Sequence, residues 1–126
     1  MSYEVGASVS VHALHVMPGM EGPEGTLHGH DYRLDVVVER GELDDRGMVC
    51  DLDVLNAALR DVAGRLADSD LEAIRPPEAE AVTVEVFARW LHDALAEPVR
   101  LAGGASLAVR VWESPTEFGG YRAPLG

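Results

Sequence analysis

Only one cysteine, Cys50, occurs among the 126 residues. That excludes a disulfide framework and a cysteine-based zinc site. Cys50 stands in Met48-Val49-Cys50-Asp51, just ahead of a helix start, and reads as buried packing. Positive charge is scarce as well: 10 Lys plus Arg stand against 22 Asp plus Glu, giving a formal charge of -12. Nucleic acid is therefore not an expected partner, because phosphate binding relies on clustered basic side chains. The segment Met1-Ser2-Tyr3-Glu4-Val5 lacks the basic flank and apolar run of a signal peptide, and no apolar stretch approaches membrane-spanning length. The expected location is the cytoplasm, with no membrane partner. No internal repeat or low-complexity tract is visible. The chain reads as a single domain over residues 1–126, with 47% hydrophobic residues and enough length for one real core.

What is present is organised around His28-Gly29-His30, with His15 upstream. Strand side chains alternate with period two, so His28 and His30 share a face with Tyr32, Leu34, Val36 and Val38. The segment before them alternates in odd register through Val5, Ala7, Val9, Val11 and Ala13 to His15. Both strands thus place histidine on the core face near one end. Paired antiparallel through the intervening loop, they would bring three imidazoles together as a metal site, with zinc the first candidate. The competing interpretation is three core histidines, each satisfied by its own hydrogen bond. His12 has the opposite parity and His92 falls on a predicted helix. Both read as solvated or as supports around the ligands.

Taken in order, residues 3–15 read as a strand and the Gly- and Pro-rich residues 16–27 as a loop. A second strand runs from about His28 to Arg40. Asp51 or Asp53 caps a helix whose apolar stripe is Leu52, Leu55, Leu59, Val62 and Leu66. Thr83 caps a second helix with Glu85 in its first turn, and Pro98 is expected to end it. A third strand alternates through Leu107, Val109 and Val111, and the same parity reaches Glu113. A carboxylate at the end of a core face calls for a partner or a ligand. A short last strand is expected around Gly120–Ala123. The order predicts an α+β fold, an antiparallel sheet with two helices on one face. Its open edges favour oligomers with sites shared between subunits.

Val11-His12-Ala13-Leu14-His15, His28-Gly29-His30-Asp31-Tyr32, Gly47-Met48-Val49-Cys50-Asp51-Leu52, Thr83-Val84-Glu85 and Trp112-Glu113 resemble, in the right order, the 6-pyruvoyl-tetrahydropterin synthase and 6-carboxy-tetrahydropterin synthase family. The resemblance implies the tunnelling fold (T-fold), in which subunits join their sheets into a barrel, commonly a homohexamer. It also implies zinc on His15, His28 and His30, sites at subunit interfaces, and Glu113 anchoring the pterin ring. Thr83 and Glu85 are further candidates for substrate contact. A cupin would want a glutamate shortly after the HxH motif, and a metallo-β-lactamase-type site wants HxHxDH. Neither pattern is present.

Two departures bear on the reaction. The family's catalytic cysteine lies four residues before the first histidine of the HGH motif, and Glu24 stands there. The family's Asp-His pair should follow the first helix, where Leu66-Ala67-Asp68-Ser69-Asp70-Leu71 holds no histidine. Glutamate in the cysteine's place resembles a subgroup that cleaves the side chain of 7,8-dihydroneopterin. The implied function is a zinc-dependent lyase or synthase on the side chain of a reduced pterin. Glu24 would be its base, and Asp68 or Asp70 a second acid. The alternatives are the same scaffold turned to a non-pterin substrate in a specialised pathway, or a non-catalytic pterin or zinc binder.

Overall fold

A computed structural model describes the whole chain, Met1–Gly126. Its elements are β1 (Tyr3–His15), β2 (His28–Arg40), α1 (Leu52–Leu66), α2 (Val84–Leu101), β3 (Ser106–Trp112) and β4 (Phe118–Pro124). The four strands form one antiparallel sheet in the order β1-β2-β3-β4. The β1–β2 register runs from Tyr3 opposite Arg40 to His15 opposite His28. All three histidines therefore meet at the loop end of that hairpin.

Period-two alternation decides which face is buried. Val11, Ala13, Tyr32, Leu34, Val36, Val38, Leu107, Val109 and Val111 turn inward and are nearly inaccessible. Both helices cover that face. α1 contributes Leu55, Leu59, Val62, Ala63 and Leu66, and α2 contributes Phe87, Ala88, Leu91, Leu95 and Val99. The Asp51 carboxylate caps α1 by accepting from the Asp53 N–H, and the Thr83 hydroxyl caps α2 by accepting from the Val86 N–H. The opposite face of the sheet carries no helix.

Three local expectations are corrected. Leu52 is exposed rather than part of the α1 stripe, because as the first helical residue it lies beyond the edge of the sheet contact. Pro98 does not end α2, which continues to Leu101. Buried Val99 holds the last turn on the core, and the Ala102 N–H donates to the Pro98 carbonyl. Finally, His92 is buried, not solvated. β4 is longer than expected and lays Tyr121 edge-on against the imidazole, with ring centroids 4.9 Å apart.

Candidate metal centre and pocket

The register of β1 and β2 sets His15 against His28 and His30, with ring centroids 4.4 and 4.8 Å from His15. The Nε2 atoms of His28 and His30 are 3.0 Å apart. Two imidazoles on one tetrahedral zinc, with Zn–N bonds near 2.05 Å, would place theirs about 3.3 Å apart. His28 Nδ1 lies 2.7 Å from the Thr26 carbonyl oxygen. Its N–H donates there, which fixes the tautomer and leaves Nε2 with a free lone pair, the arrangement metal-bound histidines use.

His15 supplies the sharpest test of fit. Both of its ring nitrogens are buried and neither has a hydrogen-bond partner. Such a group costs about 1–3 kcal/mol unless something takes its lone pair. Burial lowers the His15 pKa, and the neighbouring His28 and His30 lower it further. Glu24 and the nearby Val82 backbone, which falls short of a hydrogen bond, pull weakly the other way. The neutral imidazole is the form that binds metal.

Glu24 joins the cluster. One ligand atom from each of His15, Glu24, His28 and His30 lies within 4.8 Å of all the others, and Glu24 Oε2 is 3.4 Å from His28 Nε2. A short 3-10 turn over Gly22–Gly25 carries the carboxylate, closed by a bond from the Met17 N–H to the Glu24 carbonyl. Gly25 allows that turn to close, because a Cβ there would collide with the Met20 carbonyl oxygen.

The histidine end opens into a pocket of about 390 Å³. Its polar lining is His15, Glu24, Thr83, Glu85, Glu113 and Tyr32, and Met17, Met20, Val82, Val84 and Phe87 supply apolar wall. The α2 cap thus places Thr83 and Glu85 at the rim, and the end of β3 delivers Glu113. Burial raises the Tyr32 pKa well above the usual phenol range, reinforced by the Glu113 and Glu24 carboxylates. Its hydroxyl therefore stays protonated and can donate.

Asp68 and Asp70 do not line this pocket. The segment they belong to lies along the outer edge of β1, where the Asp68 N–H donates to the His12 carbonyl and the Leu14 N–H to the Ser69 carbonyl. Asp70 accepts from the Glu72 N–H. Asp68, at a left-handed φ of 57°, places Oδ1 3.1 Å from His12 Nδ1. An aspartate–histidine pair thus exists in space though not in adjacent positions. The His12 ring lies across Gly29, where a Cβ would come within 2.5 Å of its Nε2. Strand parity alone set His12 aside; its partner comes from a segment far off in sequence. Sequence reasoning also missed Met17 and Met20, whose only signal is two large apolar residues in a turn-rich loop. Cys50 lies away from the pocket, and burial, with Asp51 beside it, raises its thiol pKa.

Sheet, helices and histidine end define a small T-fold domain with a pocket beside a three-histidine cluster. Its backbone superposes on 6-pyruvoyl tetrahydropterin synthase from Plasmodium falciparum with a TM-score of 0.77 at 18% identity, covering 98% of each chain. The Plasmodium vivax enzyme, in a variant described as a catalytic-residue mutant with glutamate changed to alanine, gives 0.80 at 17% identity, covering 98% of this chain and 99% of that one. In sequence, the chain is 26% identical over 129 residues to 6-carboxy-5,6,7,8-tetrahydropterin synthase of Bacillus subtilis (strain 168), covering 99% of this chain and 88% of the relative. The family model of 6-pyruvoyl tetrahydropterin synthase matches residues 4–124, and the chain belongs to that family.

Proposed function

We propose that the protein is a zinc-dependent lyase acting on the side chain of a reduced pterin of the dihydroneopterin type, with Glu24 as base. The observation that carries this reading is the position of the Glu24 carboxylate, beside the histidine cluster and on the pocket wall. A solved relative has a glutamate described as a catalytic residue, so a carboxylate can serve in this fold.

Held by His15, His28 and His30, zinc would polarise a side-chain hydroxyl and lower its pKa. Glu24 takes the proton from the hydroxyl on the second side-chain carbon as the bond between the first and second carbons breaks. A two-carbon aldehyde leaves, and the pterin ring accepts the electron pair. Return of a proton to the first carbon gives the 6-hydroxymethyl product. Glu113 accepts two N–H bonds from the guanidine-like edge of the ring. Thr83 and Glu85 contact the substrate at the rim, and the apolar wall excludes water.

Asp68 and Asp70 are placed in the same scheme through assembly. The outer edge of β1 is covered only at its histidine end, by the segment that holds Asp68 and Asp70, and that of β4 has no partner strand within the chain; a homohexameric barrel with interfacial sites would pair the free edges. Asp68, held by His12, then supplies the second proton-transfer group to a neighbouring protomer's pocket, and Asp70 holds its segment in place. The cytoplasm is the proposed location; no helix is long and apolar enough to cross a membrane.

Mass spectrometry of products from zinc-loaded protein and 7,8-dihydroneopterin tests this reading. The expected result is a 6-hydroxymethyl product that disappears in Glu24→Gln while bound zinc is retained. Zinc lost together with activity in Glu24→Gln would make Glu24 a fourth ligand instead of the base. Absence of product with zinc bound would reject the pterin lyase.

A further inference from the structure

Tyr32 follows His28 and His30 in the even register of β2, so its ring lies on the same helix-covered face. It is only 2% exposed. Phe87 of α2 stacks edge-on against it with ring centroids 5.2 Å apart, and the His30 and His15 rings stand 5.6 and 6.3 Å away. A tyrosine has two side-chain torsions, and packing on these sides fixes both. The hydroxyl therefore has a set direction beside the histidine cluster.

That hydroxyl bonds to no group of its own chain, yet it is not one of the chain's enclosed orphan atoms, which are the two His15 nitrogens and His92 Nε2. Its opening is the pocket, whose wall Tyr32 shares with Glu24 and Glu113. Both carboxylates are near enough for their charges to act on the phenol. Glu113 is the proposed anchor of the pterin ring, and Glu24 the proposed base on the side chain. A ligand reaching from one to the other lies against the Tyr32 hydroxyl, where ring and side chain join.

The chemistry at that junction calls for a donor. A 7,8-dihydropterin has a double bond between C6 and N5 of the ring, and its side chain starts at C6. When the bond between the first and second side-chain carbons breaks, the electron pair forms a double bond from the first carbon to C6. The C6–N5 π pair moves onto N5, which gains negative charge. Protonation of the first carbon later draws the pair back. We infer that the Tyr32 hydroxyl donates a hydrogen bond to N5 and stabilises this charge, keeping its own proton throughout. This rests on the pterin lyase reading above. A phenol is protonated at neutral pH, and a fixed donor aimed at developing charge acts most strongly in the transition state.

Tyr32→Phe removes the donor and keeps the ring packing. Steady-state assay of the zinc-loaded wild type and variant with 7,8-dihydroneopterin is expected to show kcat lowered about 100-fold. KM should stay within about threefold, since an interaction gained in the transition state leaves ground-state binding alone. Bound zinc and melting temperature should match the wild type. A raised KM with kcat unchanged would assign the hydroxyl to a ground-state contact and overturn the inference. So would unchanged kinetics, or a kcat lost together with zinc, which would make Tyr32 a support of the histidines. Each of these results leaves the pterin reading standing. A wild-type protein that binds zinc and yields no product would overturn both.

Discussion

The β1–β2 hairpin has polar groups on both faces and treats them in opposite ways. On the uncovered face, Asp35 accepts from the Ser8 hydroxyl at 2.7 Å, from Arg33 Nε at 3.0 Å and from Trp112 Nε1 at 2.8 Å. Arg33 also stacks over the Trp112 ring. On the helix-covered face, His15 is buried with neither nitrogen partnered, and His28 and His30 turn their Nε2 atoms toward each other. The satisfied network belongs to stability, since both oxygens of the Asp35 carboxylate accept bonds within the fold. The unsatisfied one persists at a cost and is explained by a ligand that completes it. Its pocket holds the acid and the apolar wall that a reaction needs.

Glu24→Gln should break the functional side of that contrast most severely. Steady-state assay with 7,8-dihydroneopterin should show a loss of about 10²–10⁴-fold in kcat, with the melting temperature nearly unchanged because the side chain is exposed. Unchanged turnover would remove Glu24 from the mechanism.

Gly25→Ala is expected to act on the same group indirectly. The added Cβ meets the Met20 carbonyl oxygen, so the turn that carries Glu24 must shift. A displacement of that kind should lower kcat about 10–100-fold, with zinc content unaltered. Restoration of wild-type kcat in the variant would show that the turn does not position the carboxylate.

Asp35→Asn sharpens the other side. Burial alone would raise the Asp35 pKa, but bonds from Ser8, Arg33 and Trp112 outweigh it and hold the carboxyl below its ordinary range. A lowered folded pKa contributes stability above the unfolded value, and that contribution fades as pH falls through the folded one. Denaturant unfolding at neutral pH should show the variant weaker by about 1–2 kcal/mol. The gap should close in acid, and kcat should hold. Equal stability at neutral pH would deny the network its role.

Thr83→Ala should cost less stability than Asp35→Asn, about 1 kcal/mol in the same unfolding experiment, because the Val86 N–H loses its cap. Because Thr83 also lines the pocket, KM should rise with it. A change in stability alone would confine Thr83 to capping.

Much of this was legible from residue order. Alternation in β1, β2 and β3 located the core face and brought His15, His28 and His30 to one end, since period two leaves no choice once one face is buried. Thr83 and one of Asp51 and Asp53 marked the two helix starts, because an acceptor side chain before an apolar stripe favours a cap, and the structure selects Asp51. The continuation of α2 past Pro98 was not legible, because the proline's local cost is met by tertiary anchoring through Val99. Nor was the burial of His92, which depends on how far β4 extends. The His12–Asp68 contact was hidden for a related reason. It is made by residues 56 apart in the chain, through a segment that runs along the sheet edge.

Zinc stoichiometry tests the central claim most directly, that His15, His28 and His30 form a metal centre. Metal analysis after equilibration with zinc and gel filtration would be run on wild-type protein, His15→Ala and Asp35→Asn. The account predicts one zinc per chain for wild type and for Asp35→Asn, and loss of most of it in His15→Ala, with circular dichroism confirming that each is folded. A folded His15→Ala that retains zinc as wild type does, or a wild-type chain that takes up none, would contradict it.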